Sequence, residues 1–401
     1  MASSKSYTYI DLFAGCGGLS LGLGNAGWKG IFAIEKSPMA FSTFEHNLLG
    51  KESHFDWPEW LPKSNLDLLE VLKSHKKNLI SLRGKVDLVA GGPPCQGFSM
   101  AGKRDESDIR NRLVHSYLEL VDLVQPKMIF FENVSGITQR FKGEDGKMGM
   151  AHSDIVAKKL QKLGYKFPDM KILNLADYGL PQSRRRFIMI AIRGNEMTDF
   201  FSQLDGNKKA FLKSKKLPLK SNVKDALSDL LRLHGEEQCP DAKSFQSGVY
   251  SSPQSAFQRL MRKRARKGMV PDSHRFAKHF PRTVDVFKNV LKHAPSNVGL
   301  RGGQAKEYGI KKRNVTLLEA SAPSPTILSI PDDYIHYCEP RIMTVRECAR
   351  LQTFPDNFEF KEKYTSGGQM RKIEVPRYTQ VGNAIPPLFA EQAGLTLKKF
   401  I

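Results

Sequence analysis

Two apolar runs in this chain each end in a side chain able to do chemistry. Val86-Asp-Leu-Val-Ala-Gly-Gly-Pro-Pro94-Cys95-Gln96-Gly97-Phe98-Ser99 delivers a thiol just beyond a buried strand, and Lys127-Met-Ile-Phe-Phe-Glu132-Asn133-Val134 ends a second strand in a carboxylate. The thiolate is the nucleophilic form of cysteine, and the basic residues after Cys95, Lys103 and Arg104, lower a thiol pKa from about 8.5. An acid on the same sheet edge, here Glu132, can protonate or hydrogen-bond a substrate nitrogen. Gln182-Ser-Arg184-Arg185-Arg186 precedes a third apolar run. Alternation along a strand points Arg184 and Arg186 one way and Arg185 the other, and two guanidinium groups aimed at one place suit a carboxylate or phosphate.

A different chemistry is signalled near the N-terminus. Tyr9-Ile-Asp-Leu-Phe13-Ala-Gly15-Cys16-Gly17-Gly18 runs from a strand into a glycine-rich turn and then a helix, where backbone N–H groups face a ligand. Glu35 ends the next apolar run, a position from which a carboxylate accepts both ribose hydroxyls of a nucleoside. The order Gly-x-Gly-x-x-Gly expected for a dinucleotide is missing, so the pattern indicates a nucleotide-type cofactor without naming it. Near the C-terminus, Arg377-Tyr-Thr-Gln380-Val-Gly382-Asn383-Ala-Ile-Pro386-Pro387 places Asn383 beside a glycine, within reach of a ligand.

The elements that must position these residues follow from periodicity. Residues 9–13, 30–34, 86–90, 128–131 and 187–192 read as short buried strands, and 18–24, 38–49, 112–123 and 152–163 have helical spacing. Their alternation predicts an α/β chain with a parallel, doubly wound sheet. Beyond residue 195 the texture changes: residues 258–282 hold nine Lys/Arg against one Asp, within a chain of 401 residues and net charge +21. A second, more basic domain is expected there, with a polyanion as its partner. Composition, at 40% hydrophobic and 26% charged, excludes disorder, collagen and coiled coil. Neither a signal peptide nor a membrane-length apolar run is found. Five cysteines without a CxxC pair indicate a reduced intracellular protein with no metal site.

Together these segments resemble the DNA (cytosine-5) methyltransferase family, of the bacterial restriction-modification type. Asp11-Leu-Phe-Ala-Gly-Cys-Gly-Gly18 is similar to its first motif, Pro93-Pro94-Cys95-Gln96 to its catalytic one, and Glu132-Asn133-Val134 to its Glu-Asn-Val. Gln182-Ser-Arg-Arg-Arg186, Arg346-Glu-Cys-Ala-Arg-Leu-Gln-Thr-Phe-Pro-Asp356 and Gln380-Val-Gly-Asn383-Ala complete the series in the family's order. The resemblance implies a Rossmann-like sheet formed by residues 1–195 and about 356–401. It also implies a smaller DNA-recognition domain at about 196–345 and a hinge region at 346–355.

It further implies S-adenosylmethionine as cofactor and S-adenosylhomocysteine as product. Phe13, Gly15 and Gly18 would surround the cofactor, with Glu35 on the ribose, Asp67 on the adenine, and Pro94, Leu113 and Asn383 completing the pocket. Cys95 would add to C6 of a flipped cytosine, Glu132 would engage N3, and Arg184 with Arg186 would hold the base and orient Glu132. Residues 96–110 would close over the base, with Ser99 and Arg110 near DNA. Arg301 and Gln304, in Leu300-Arg301-Gly302-Gly303-Gln304, would read base edges, and Thr326 would touch a phosphate. Double-stranded DNA is the implied partner, with a separately acting restriction endonuclease, no membrane, a monomeric enzyme and a cytoplasmic, nucleoid-associated location in a bacterium. The compact length argues against large regulatory domains. An RNA-directed enzyme of the same fold is the nearest rival, but the Cys-Phe-Thr segment of the transfer-RNA enzymes is missing. A catalytically inactive DNA-binding regulator has no need of Cys95, Glu132, Arg184 and Arg186 together, and a dinucleotide oxidoreductase has no use for Cys95 with Glu132.

Overall fold

The computed structural model describes residues 6–94, 109–140, 149–194, 199–263, 265–312 and 314–401. The chain forms two compact units. The first comprises Met1–Asn174, Arg185–Lys208 and Ala390–Ile401, and the second Leu175–Arg184 and Lys209–Phe389.

The first unit is built on a six-stranded sheet. Its strands are β1 (Tyr7–Leu12), β2 (Trp28–Ile34), β3 (Leu88–Gly91), β4 (Met128–Val134) and β5 (Asp169–Asn174), followed after the short β6 (Gln182–Ser183) by β7 (Arg185–Ile192). The spatial order is β2-β1-β3-β4-β7-β5. Helices α1 (Gly18–Asn25), α2 (Pro38–Leu48), α3 (Leu68–Ser74), α4 (Lys76–Ser81), α5 (Ile109–Val124) and α6 (His152–Lys162) intervene. On one face, Ile10, Phe32, Val89, Ile129 and Phe187 pack with Leu72, Tyr117, Val121 and Leu160 in a single buried cluster. Wholly buried central strands explain why these runs are continuously apolar and not alternating.

The sheet is mixed, in contrast to the parallel sheet expected. β1, β2, β3 and β4 run parallel, but β7 is antiparallel to both β4 and β5. The cause is the link from β5 to β7, residues 175–184, which contains no crossover helix. Parallel neighbours need a connection of a dozen or more residues, usually helical. A functional consequence follows: the N-terminal end of β7, where the arginines stand, meets the C-terminal end of β4, where Glu132 stands, with Val134 opposite Arg186.

The second unit takes in β6, the C-terminal end of α7 (Phe200–Ser214), α8 (Val223–Leu227), the hairpin β8 (Glu236–Gln238) and β9 (Gln246–Gly248), and α9 (Ala256–Met261). A small layer follows, in which α10 (Pro281–His293), β10 (Gly299–Leu300), α11 (Gly302–Glu307) and β11 (Val315–Leu317) supply Val290, Leu300, Ala305 and Val315 to a separate core. β12 (Ser324–Pro325) pairs with β6, and β13 (Tyr334–Ile335) with β11. Then come α12 (Val345–Leu351), α13 (Arg377–Asn383) and the start of α14 (Pro387–Leu397), whose remainder belongs to the first unit. There the Trp28 indole N–H donates to the Gly394 carbonyl at 2.9 Å. Among the described residues, no helix is long and apolar enough to cross a membrane.

Residues 346–355, read from the sequence as a hinge region, and Asp356 after them belong to the second unit. The Arg350 guanidinium is completely buried and meets Asp229 at 2.5 Å and Asp356 at 2.6 Å, with a further bond to the Ala226 carbonyl at 2.8 Å. Arg262 also reaches Asp229, at 3.2 Å. Thr344 and Glu347 form a reciprocal capping box at the start of α12. Part of the chain's positive charge is therefore internal and neutralised. Removing Arg350 leaves two buried carboxylates without their main partner, so Arg350→Met should cost about 3–5 kcal/mol. A urea unfolding midpoint near the wild-type value would contradict this account of the network.

Candidate active site

The glycine-rich turn starts where β1 ends. Phe13, Gly15 and Gly17 all have positive φ, at 60°, 57° and 97°. Gly17 has a second reason to lack a side chain, since a Cβ there would lie 2.5 Å from Leu48 of α2. The turn is held to β2 by Ala14 N–H donating to the Ile34 carbonyl at 3.0 Å. Glu35 fastens it further. One carboxylate oxygen accepts from Gly15 N–H at 2.9 Å and the other from Ser37 N–H at 2.7 Å. Burial pushes this carboxyl above its ordinary pKa. Gly18 opens α1, and Phe13 packs against the main core.

Asp67 lies in a segment seated beside the same strand end. Leu66 N–H donates to the Glu35 carbonyl at 2.8 Å, and the Asn65 amide to the Lys36 carbonyl at 3.2 Å. The Asp67 carboxylate caps α3 through Leu69 N–H at 3.0 Å and pairs with Lys36 at 2.8 Å. Partial burial raises its pKa, but these partners prevail and hold it below the ordinary value. Leu113 is half-buried on α5.

Asp11 was quoted above only as part of a motif, yet it is the most unusual carboxyl of the region. It is buried, and one oxygen accepts from the Ser20 hydroxyl at 2.6 Å. The other has no hydrogen-bond partner among the described residues. Burial, with a contribution from the charge of Glu35, raises its pKa to about 7. The signal available in the sequence was an acidic residue inside an otherwise apolar strand.

A second cluster forms at the ends of β3, β4 and β7. Beyond β3 the chain passes Gly92, where a Cβ would stand 2.7 Å from a Glu132 carboxylate oxygen. The Asn133 amide donates to the Pro93 carbonyl at 3.2 Å, fixing the approach to the exposed Pro94. Glu132 pairs with Arg186 at 2.9 Å, both side chains 13% exposed. In the β4–β7 register Glu132 faces Ile188, so Arg186 is its diagonal neighbour on the same face. Cys95 and Ser99 lie outside the described residues, and Arg110 is placed in α5 by its backbone alone.

Arg184 differs from the expectation that it shares the direction of Arg186. That reading assumes an unbroken strand, whereas β6 ends at Ser183 and β7 begins at Arg185. The buried Arg184 guanidinium donates to the carbonyls of Gly382 at 3.0 Å and Ala384 at 3.1 Å in the second unit. It thereby holds the end of α13, from which Asn383 projects exposed. Thr326 donates its hydroxyl to the Ser183 carbonyl at 2.9 Å. Arg301, exposed at the start of α11, is braced by Asn314 at 3.0 Å, and Gln304 is exposed three residues on.

The basic stretch also divides. Arg259, Lys263, Arg266, Lys267, Lys278 and Arg282 are exposed, whereas Arg262 is buried and Arg275 is half-buried over the Tyr364 ring, 3.7 Å from its centroid.

The profile of the C-5 cytosine-specific DNA methylase family matches residues 7–399. The chain is 31% identical over 395 residues to the type II methyltransferase M.DdeI of Desulfomicrobium norvegicum, covering 95% of this chain and 86% of the relative. It is 30% identical to the type II methyltransferase M1.HphI of Haemophilus parahaemolyticus, over 96% of this chain and 85% of that one. Among solved structures, a DNA modification methyltransferase encoded within an E. coli prophage superposes with a TM-score of 0.62 at 25% identity, covering 98% of this chain and 99% of that chain.

The state of Asp11 gives a prediction with a definite sign. Its proton is kept up to about pH 7 in the folded chain but lost near pH 4 in the unfolded one. Stability should therefore fall as pH rises from about 4 to 7. Asp11→Asn, which keeps the acceptor for Ser20, should raise the thermal midpoint most above pH 7 and hardly at all near pH 4. A gain independent of pH would contradict the assignment.

Proposed function

Since the chain belongs to the C-5 cytosine-specific DNA methylase family, we propose that it methylates C5 of a cytosine flipped out of a short, specific sequence in double-stranded DNA, through a covalent bond between Cys95 and C6. It is a DNA (cytosine-5) methyltransferase, and its relatives named as type II methyltransferases support a role in protecting host DNA from a cognate restriction endonuclease. The observation that carries the reading is the Glu132–Arg186 pair beside the strand end that leads through Pro93 and Pro94 to Cys95.

Cytosine C5 is a poor nucleophile. Addition of the Cys95 thiolate to C6, with a proton delivered to N3 from Glu132, ends the aromatic conjugation of the intact ring and leaves an enamine with electron density on C5. Arg186 orients Glu132 and supplies positive charge where the base carbonyl gains electrons. After C5 is methylated, loss of the C5 proton to a base lets Cys95 depart as thiolate and N3 give back its proton. The target atom is hidden in a stacked duplex, so the base must be extruded at a cost of about a few kcal/mol.

The methyl donor of this reading is S-adenosylmethionine, which supplies an electrophilic methyl group on a sulfonium. The first unit suits such a cationic nucleoside: a turn of positive-φ backbone, the Glu35 carboxylate beside it, and a buried carboxyl, Asp11, with one oxygen that meets no partner among the described residues. Phe13, Gly15, Gly18, Glu35, Asp67, Pro94, Leu113 and Asn383 are the residues assigned to hold it. Arg184 contributes by positioning the turn that bears Asn383, through its bonds to Gly382 and Ala384.

The second unit is assigned to DNA recognition. Its exposed Arg259, Lys263, Arg266, Lys267, Lys278 and Arg282 are available for phosphates, which fix position without reading sequence. Arg301 and Gln304 are assigned to base edges, with Asn314 holding one side of the Arg301 guanidinium and leaving its terminal nitrogens for a bidentate contact. Ser99 and Arg110 are assigned to contacts with DNA, and Thr326 to a phosphate.

Expression of the intact chain in a host lacking cytosine methylation should produce 5-methylcytosine at one short sequence, detected by bisulfite sequencing. Cys95→Ala should produce none while the purified variant still binds cofactor and duplex DNA. Methylation by Cys95→Ala at a substantial fraction of the wild-type level would overturn the covalent scheme.

A further inference from the structure

We propose that Gln352 is the positioning residue that aligns the Asn383 turn with the segment entering β7, and so sets the affinity for the methyl donor. The inference rests on the assignment of Asn383 to the cofactor pocket and adds a residue to which neither the motifs nor the chemistry above gave a role. Gln352 is completely buried at the end of α12. Its side-chain amide nitrogen donates to the Val381 carbonyl at 2.7 Å and lies 3.4 Å from the Ala384 carbonyl. Its oxygen accepts from the Gln182 amide at 2.9 Å. Gln182 in turn donates to the Leu351 carbonyl at 3.2 Å and accepts from Ile327 N–H at 2.8 Å.

Two adjacent glutamines thus join four segments that are distant in sequence: β6, the Thr326–Ile327 strand end, the end of α12 and the turn after α13. Arg184 closes the arrangement from the other direction by donating to Gly382 and Ala384. Gly382 is pressed onto the backbone of Leu328, where a Cβ would come within 2.6 Å. The neighbour of Gln352 carries the same load. Thr353 has φ 64°, a conformation that a β-branched residue avoids, and its hydroxyl accepts from Leu388 N–H at 3.1 Å. A strained backbone held in place by bonds on both sides of one turn marks a position where geometry is being specified. Asn383 is the exposed residue of that turn, and Val381, Gly382, Ala384 and Leu388 around it are each anchored.

The test uses the full chain and two substitutions of similar size. Gln352→Glu keeps an oxygen for Gln182 and removes the donor to Val381; Gln352→Met removes both. With duplex DNA saturating, the KM for S-adenosylmethionine should rise about tenfold or more in each variant, in keeping with loss of a buried hydrogen bond. The affinity for duplex DNA should stay within about twofold. In Gln352→Glu the defect should shrink as pH falls, because a protonated carboxyl can again donate to the Val381 carbonyl, while Gln352→Met should show no such recovery. A side chain that merely filled space would leave Gln352→Met like wild type, which would overturn the proposal. So would equal losses in donor and DNA affinity, a Gln352→Glu defect insensitive to pH, or loss of cooperative unfolding in both variants, since the residue would then be a general folding determinant. Failure of the underlying reading is distinguishable: the wild-type chain itself would transfer no methyl group to any duplex.

Discussion

The ion pair between Glu132 and Arg186 depends on the one strand of the main sheet that runs against β4 and β5. Had β7 been parallel to β4, its arginines would have stood at the opposite edge from the Glu132 carboxylate. Reversing the strand brings its N-terminus to the edge where β3 and β4 end, and the diagonal register puts guanidinium and carboxylate on one face. Gly92 completes the constraint by leaving room for the carboxylate where any side chain would strike it. The chain that continues to Cys95 therefore leaves the sheet alongside an acid whose orientation is already held.

Carboxyl groups also organise the glycine-rich turn. Glu35 uses both oxygens to tie Gly15 and Ser37 together, and this makes the turn a rigid platform. Asp11, on the strand that leads into it, is buried and has one oxygen without a partner among the described residues. A buried carboxyl is costly to ionise without a partner, so its retention suits a site that receives a cation. The second unit handles its charges differently: Arg350, Arg262, Asp229 and Asp356 neutralise one another in its interior, while Arg259, Lys263, Arg266, Lys267, Lys278 and Arg282 are exposed.

The candidate residues were legible because they stand at or just beyond the ends of short apolar runs, where a change from Ile, Val and Phe to Cys or Glu is conspicuous. Strand β5 was not legible, since Asp169–Asn174 mixes polar and apolar residues without a buried apolar run, Leu173 alone of the six being fully buried. The direction of β7 depended on the length and content of its connection, which local pattern does not report. Arg184 misled for a related reason: alternation fails where one strand stops and another starts. The charge run held a buried Arg262 among exposed neighbours, because sequence spacing does not tell which guanidinium has a carboxylate waiting inside. Gln352 was invisible as a determinant, for its partners lie 29 to 170 residues away and meet only in the folded unit.

The central claim is that Cys95 and Glu132, delivered by neighbouring strands, act on one cytosine. Its most direct test is a duplex in which cytosine is replaced by 5-fluorocytosine, whose C5 substituent cannot be lost as a proton. Incubation with the protein and S-adenosylmethionine should yield a denaturation-resistant protein–DNA adduct, and peptide mapping should find the bond at Cys95 Sγ. Methyl transfer to normal duplex without such an adduct, or an adduct formed through another residue, would contradict the account.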